Sequence, residues 1–403
     1  MSGREFFGFD VDRISEAVRQ PPLDELRSTA RSRRHRSVAA VATALVALAG
    51  VAAVPLVAGS DRTNPVLPVG PAPRPDHSGD FTLTGPDSGV DVRRDGCVLR
   101  FALTDDGGRS WSDWDAAQFR GTRCEASPPS TFGNLEFSIL SDRSYLVSDA
   151  GLRRLSTDYG RTWRDGDQAI VAVPSFPATA RAVFCGFFCG AVQEPLAVDP
   201  STGTVYRLAG KAPSGHPLFS LYPSPDGTVW ATYRLNSSSS GATVARSGDR
   251  GATWTTWEVG ADESVVAFVG LDDREGYLLT EPLTAGGSMR LLRTTDGAKT
   301  WTNTGADLPV RAHWDLTAGS DGSLLAITAG GGTESRPLAR LLVSRDDGRT
   351  FTLAREYGPL VGSISVAPGY AWLFGRDDGT TGEPDHLLLT TDATTWTRLM
   401  LSP

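Results

Sequence analysis

Eight residues recur along this chain, and their recurrence limits the possible folds more than any other feature. Ser156-Thr157-Asp158-Tyr159-Gly160-Arg161-Thr162-Trp163 reads Ser/Thr-x-Asp-x-Gly-x-Thr/Ser-aromatic. The pattern returns in full at Thr104–Trp111, Ser247–Trp254 and Ser344–Phe351. Thr294–Trp301 carries Ala298 at the Gly position, and Thr390–Trp396 is one residue short and lacks the Gly. Each residue type has a turn-making reason. The carboxylates of Asp106, Asp158, Asp249, Asp296, Asp346 and Asp392 can accept backbone N–H groups inside a tight turn. Gly108, Gly160, Gly251 and Gly348 supply backbone with positive φ. The closing aromatics, Trp111, Trp163, Trp254, Trp301, Phe351 and Trp396, are expected between neighbouring sheets, where burying each contributes roughly 2–3 kcal/mol. A calcium loop needs several oxygen ligands at set spacing, which one carboxylate per turn does not supply. These aspartates are therefore read as turn locks.

The copies begin at 104, 156, 247, 294, 344 and 390, so the intervals are 52, 91, 47, 50 and 46. The long interval is close to twice the others and predicts one further unit that has lost its motif. Val198–Tyr206 (VDPSTGTVY) reads as the remnant of that unit's inner hairpin. Seven units of ~46 residues fill 82–403, enough for four short strands in each. A chain with 44 Gly, 26 Pro and 10 Trp suits short strands joined by turns. From Asp80 onward, apolar runs (Phe137–Leu146, Thr228–Tyr233, Val265–Val269, Leu324–Thr328, Tyr370–Phe374) alternate with turn clusters such as Pro225-Asp226-Gly227 and Ser320-Asp321-Gly322. No amphipathic helix is evident there. The expected fold is all-β: a seven-bladed β-propeller, with six blades as the alternative.

The octapeptide resembles the BNR, or Asp-box, repeat seen in sialidases, sortilin-type receptors, some glucanases and photosystem II assembly propellers. The resemblance spans 80–403. It implies a propeller with the motif on the hairpin between the last two strands of a blade. It implies no single activity, because those families differ in chemistry. A sialidase would need a Phe/Tyr-Arg-Ile-Pro-like strand before the first copy; Phe81–Leu103 holds Arg93, Arg94 and Arg100 but not that motif. It would also need an arginine triad and a Tyr/Glu nucleophile pair, for which Arg234 and Glu356-Tyr357 are the residues to consider.

The N-terminal residues follow different rules. Residues 1–36 hold eight Arg against six acids and form an expected cytoplasmic tail, which ends in the basic run Arg31–Arg36. The uncharged run Val38–Ala58 has 21 residues, the length needed to cross a bilayer. A transmembrane helix over 37–59 is expected, with the basic side in the cytoplasm. A cleaved signal peptide is the alternative, though the apolar run and the segment before it are both long for one. Residues 60–79 are Pro-rich and form a semi-extended linker of up to ~60 Å. The domain at 80–403 then lies outside the cell membrane. With two lysines (Lys211, Lys299) among 39 basic residues, the chain carries the arginine bias of a GC-rich, for example actinobacterial, genome.

Charge and cysteine usage narrow the function. The net charge is −8 and the tail contributes +2, so the body is acidic and nucleic acid is not an expected partner. Four cysteines on the oxidising side allow three pairings. Cys97–Cys124 and Cys185–Cys189 are favoured, the latter closing Cys-Gly-Phe-Phe-Cys. The five His residues show no ligand spacing, so no metal is expected, and no cofactor is implied. The Gly-rich runs Gly330–Gly332 and Gly286-Gly287 read as loops, not phosphate cradles. Glu194, Glu263, Glu281 and Glu356 read as solvated loop charges. Arg311/His313/Trp314 and Tyr222/Trp230 are candidate contact clusters. The expected function is a monomeric, membrane-anchored module that binds an envelope protein or glycan. The rival is an exo-sialidase-like glycoside hydrolase.

Overall fold

The computed structural model describes residues 80–122, 135–186, 189–234, 241–283, 288–308, 313–333, 336–357, 364–375 and 384–401. The segment 37–59, Cys124, Arg311 and Gly286-Gly287 lie outside them. Among the described residues no helix is long and apolar enough to cross a membrane.

The described strands form seven four-stranded sheets. The first holds β1 (Thr82–Leu83), β2 (Gly89–Asp95), β3 (Val98–Thr104) and β4 (Gln118–Arg120), and the second β5 (Leu135–Ile139), β6 (Tyr145–Asp149), β7 (Leu152–Ser156) and β8 (Arg164–Asp165). A one-turn helix, α1 (Gly166–Ala169), follows, capped by the Asp165 carboxylate. The third sheet holds β9 (Val171–Val173), β10 (Arg181–Ala182), β11 (Leu196–Val198) and β12 (Val205–Leu208). The fourth holds β13 (Leu218–Pro223), β14 (Val229–Tyr233), β15 (Thr243–Ser247) and β16 (Thr255–Glu258). The fifth holds β17 (Glu263–Gly270), β18 (Gly276–Pro282), β19 (Arg290–Thr294) and β20 (Thr302–Asn303). The sixth holds β21 (His313–Ala318), β22 (Leu324–Thr333), β23 (Arg336–Ser344) and β24 (Thr352–Tyr357), and the seventh β25 (Ile364–Ala367), β26 (Tyr370–Gly375), β27 (His386–Thr390) and β28 (Thr397–Met400).

The apolar runs fall where strands are walled on all sides. Thr228–Tyr233, Leu324–Thr328 and Tyr370–Phe374 become β14, β22 and β26, each the second strand of its sheet. A second strand has strands on both edges and sheets on both faces, so it reads as a continuous apolar run, not an alternating one. Every residue of β14 is buried. Outermost strands alternate instead, as in β16, where Thr256 and Glu258 are exposed. Phe137–Leu146 divides at Ser141–Arg143 into β5 and β6.

The third sheet explains the long interval between motif copies. Its strand order is β10-β11-β12-β9, and β9 lies parallel to β12. Its outer strand therefore comes from upstream, and no hairpin joins its third and fourth strands. The octapeptide builds that hairpin elsewhere, so here it has nothing to build. The predicted remnant Val198–Tyr206 is the turn between β11 and β12.

The sheets close into a ring through their apolar faces. Val92 and Phe101 of the first sheet pack with Ile139 and Tyr145 of the second. A second cluster runs from Leu155 through Leu196 to Val229, joining sheets two to four. A third joins sheets four to six through Trp230, Leu278 and Trp314. Ile327 and Leu341 meet Leu373 between sheets six and seven. Finally Phe374, Leu387 and Leu399 of the seventh sheet pack on Phe81 and Leu83 at the start of the first. A ring of four-stranded sheets, antiparallel but for β9, packed face to face is the β-propeller type of fold.

Candidate functional site

Two places attract attention: the octapeptide turns and the axis on which the first strands converge. Asp158 Oδ1 accepts the Thr162 N–H at 2.9 Å and Oδ2 accepts the Thr162 hydroxyl at 2.6 Å. The Ser156 hydroxyl donates to Asp158 Oδ1 at 2.8 Å and accepts the Gly160 N–H at 2.9 Å. The same four bonds recur around Asp106, Asp249, Asp296 and Asp346. The shortened copy keeps the Thr395 bonds to Asp392. Both hydroxyl positions of the motif are thus explained, as well as the Asp. Two successive residues take positive φ in each full-length copy, for example Tyr159 at 68° and Gly160 at 79°. Ala298 adopts 68° at the position where Gly is missing.

The turns are also tied outward. Gly107 N–H donates to Asp87 O and Tyr159 N–H to Arg143 O, linking the octapeptide to the other hairpin turn of its own sheet. Arginines then reach the next sheet: Arg143 to Ser201 O at 2.8 Å, Arg246 to Asp273 at 3.2 Å, Arg293 to Asp347 at 3.0 Å and Arg345 to Asp392 O at 3.0 Å. With both carboxylate oxygens engaged inside the turn, these aspartates have no free geometry for catalysis. The closing aromatics sit between sheets. Trp163 lies 5.0 Å from Phe119 and 5.8 Å from Phe101, and Trp301 lies 5.5 Å from Trp257. Trp111, Trp254, Phe351 and Trp396 pack against the other inter-sheet clusters.

The axis is different. A cavity of about 570 Å³ opens there, walled by Asp80–Leu83, by β5, by Val183–Gly186 with Cys189 and Gly190, and by Ser365–Ala367 with Trp372. Its volume is in the range of small-ligand sites. The segment around Cys185 forms the wall at the third sheet. Cys185 and Leu221 exchange backbone bonds of 3.0 and 2.9 Å, which attaches this segment to β13. The Ser138 hydroxyl donates to Cys189 O at 2.9 Å and accepts the Ala191 N–H at 3.0 Å, which attaches it to β5. Cys185 and Cys189 are disulfide-bonded. Phe184 reaches over the axis, edge-on to Tyr222 at 5.6 Å, and touches the clusters of sheets four to seven and one.

Few charges line this space. Among the described residues its ionisable groups are Asp80, Arg94 and Glu136. The Arg94 guanidinium donates to Leu135 O at 3.1 Å. Arg93 and Arg100 do not join it: Arg93 lies over the Trp114 ring at 4.1 Å, and Arg100 pairs with Asp115. Arg234 is buried, stacks on Phe219 at 3.3 Å and donates to Val265 O at 2.6 Å. Burial pulls its pKa down to about 10. Glu356 is on the outermost strand β24, paired with Arg340 at 2.7 Å. The sialidase-type constellation is therefore not brought together at the axis.

Several expectations need correcting. Glu263 is not a solvated loop charge; it begins β17, is 4% exposed and pairs with Arg290. Glu281 and Glu356 are also on strands, and Glu194 pairs with Arg153 at 2.8 Å. Residues 330–332 are extended strand in β22, not a loop. Tyr222, Trp230 and Trp314 are core residues at 3%, 0% and 1% exposure, because each lies on a strand covered by the next sheet. They cannot be surface contacts. The expected Cys97–Cys124 pair reaches outside the described residues.

No family model matches the chain, and no curated protein matches it. Among solved structures it is similar to "YCF48 bound to D1 peptide", at 17% identity over 55% of this chain and 64% of that one, with a TM-score of 0.29. It is similar to a polysaccharide lyase, PL25 ulvan lyase, at 11% identity over 80% of this chain and 91% of that one, TM-score 0.41. A protein of unknown function from Dyadobacter fermentans aligns at 13% identity over 81% and 85%, TM-score 0.33. The chain spans 64% of the length of the first of these. The fold assignment rests on the strand order and ring packing above, not on these likenesses.

Proposed function

We propose that the chain is a membrane-anchored, extracytoplasmic Asp-box propeller of seven blades that binds an envelope protein or glycan and performs no chemistry on it. The observation that carries this reading is the axial cavity. It is large enough for a ligand and lined mainly by aliphatic, aromatic and neutral polar groups, and its one described arginine is already bonded to Leu135 O. Hydrolysis of a glycoside needs two carboxyl groups facing one bond. Glu136 and Asp80 are the described carboxylates on this wall, and no arginine cluster accompanies them.

The N-terminal run Val38–Ala58 would hold the propeller at the membrane through the linker 60–79. The test uses the purified full chain against a panel of fluorogenic glycosides. This reading expects no turnover above buffer. Hydrolysis abolished by Glu136→Gln would establish the glycosidase instead.

A further inference from the structure

The walls of the axial cavity have an uncommon composition. Four residues in a row (Asp80–Leu83), five in a row (Leu135–Ile139) and three in a row (Ser365–Ala367) line it. Successive side chains of a strand point to opposite faces. A wall of consecutive residues therefore presents the edge of a strand, with its backbone, not one face. On such an edge every second residue turns its N–H and C=O away from the pairing partner.

The molecule already uses an inner edge of this kind. Cys185 pairs antiparallel with Leu221, so extended chain at the axis adds to β13 from the inside. At β5 the Cys189–Ala191 strap covers Ser138, and Gly190 lies against Phe137 O. Thr317 donates to Ala367 O. Among the described residues, Thr82–Leu83 of β1 and Ser365–Val366 of β25 also line the cavity, on the two sheets that close the ring.

Resting on the binding role above, we propose that the axial cavity takes an extended peptide segment, added as a strand along the inner edge of β25, with β1 as the facing wall. Main-chain bonding would give affinity and the walls would give specificity. Phe137, Phe184 and Val366 suit an apolar side chain. Glu136 is exposed on the same wall while the Arg94 guanidinium is held by Leu135 O, so a basic side chain beside the apolar one is complementary. Saccharides need no such edge.

The test selects a phage-displayed random linear heptapeptide library on the full chain, then measures the selected peptide in synthetic form. Ser365→Trp places an indole in the cavity and is expected to weaken binding at least about tenfold, with the thermal midpoint unchanged. Thr82→Trp serves as the second blocking variant if Ser365→Trp does not fold. N-methylation along the peptide is expected to weaken binding at alternate residues only, because an added strand uses every second N–H. Equal binding to both Trp variants, or loss without alternation, overturns the proposal. Enrichment of no peptide, with a neutral oligosaccharide binding that Ser365→Trp abolishes, overturns the peptide assignment and leaves the binding role standing. Binding of neither class overturns both.

Discussion

Each octapeptide aspartate spends both oxygens inside its own turn, and its acidity follows. The hydroxyl and N–H of Thr300, with Thr294, bring Asp296 down to about 2. Ser110 does the same for Asp106 and Thr350 for Asp346, both to about 2. An aspartate held below its unfolded value of ~3.9 adds stability above that value and loses it as pH falls through the folded one. Asp296→Asn should therefore melt at lower temperature than the wild type at neutral pH, and the gap should close between about pH 4 and pH 2. An equal gap in thermal melts at both ends would contradict the turn-lock account. Asp91 on β2 behaves in the opposite sense. Burial raises it to about 6, with Arg93 opposing. The stability it contributes is present below ~3.9 and lost as pH rises through about 6. Asp91→Asn should gain on the order of 2 kcal/mol over the wild type between about pH 4 and pH 8 in denaturant titrations. A difference constant with pH would count against this.

At the scale of the element, the hairpin between third and fourth strands is legible in sequence because its geometry is local. Asp, Gly and Ser/Thr at fixed spacing name the turn, and the apolar runs name the second strands. What lies between turns is set by partners distant in sequence, and there legibility ends. Nothing near Val171–Val173 announces that this segment will fill the outer place of the next sheet, parallel to β12. The missing motif was visible, but its cause was not. The axial cavity was equally hidden. Phe184 and Ser365 carry no motif; the one signal for Ser365 is membership of the first strand of its unit, which strand counting from each octapeptide could have found, and Phe184 follows the two-residue first strand of its own. Glu263 misled because it follows the turn-like Gly260-Ala261-Asp262 and looks like a loop charge until its partner Arg290, on β19, is known. The aromatic position gives the element-scale prediction. Trp163 is half-buried between Phe101 and Phe119, and its indole N–H donates to Gln118 O at 2.8 Å. Trp163→Ala should cost about 3 kcal/mol of unfolding free energy, whereas truncating an exposed neighbour such as Arg161 should cost under about 0.5 kcal/mol.

The whole molecule depends on closure of the ring. Gly108 stands at φ 81°, and a Cβ there would lie 2.0 Å from the carbonyl oxygen of Met400, at the end of the last sheet. Backbone cannot swing aside as a side chain does, so Gly108→Ala should cost about 2–3 kcal/mol. Its hydrogen exchange should quicken in β25–β28 as well as in β1–β4, while β14 and β18 keep their protection. Quickening confined to the first sheet would mean that the ends are not joined. Closure matters for function because it brings β1 and β25 to the same wall. The most direct measurement of the central claim is a hydrogen-exchange footprint of the full chain bound to its selected ligand. Protection at Thr82–Leu83, Leu135–Ile139 and Ile364–Ala367, with the octapeptide turns unchanged, is the result predicted for recognition at the axis. Protection centred on Thr104–Trp111, Ser156–Trp163 and their repeats, with the inner strands unchanged, would contradict it.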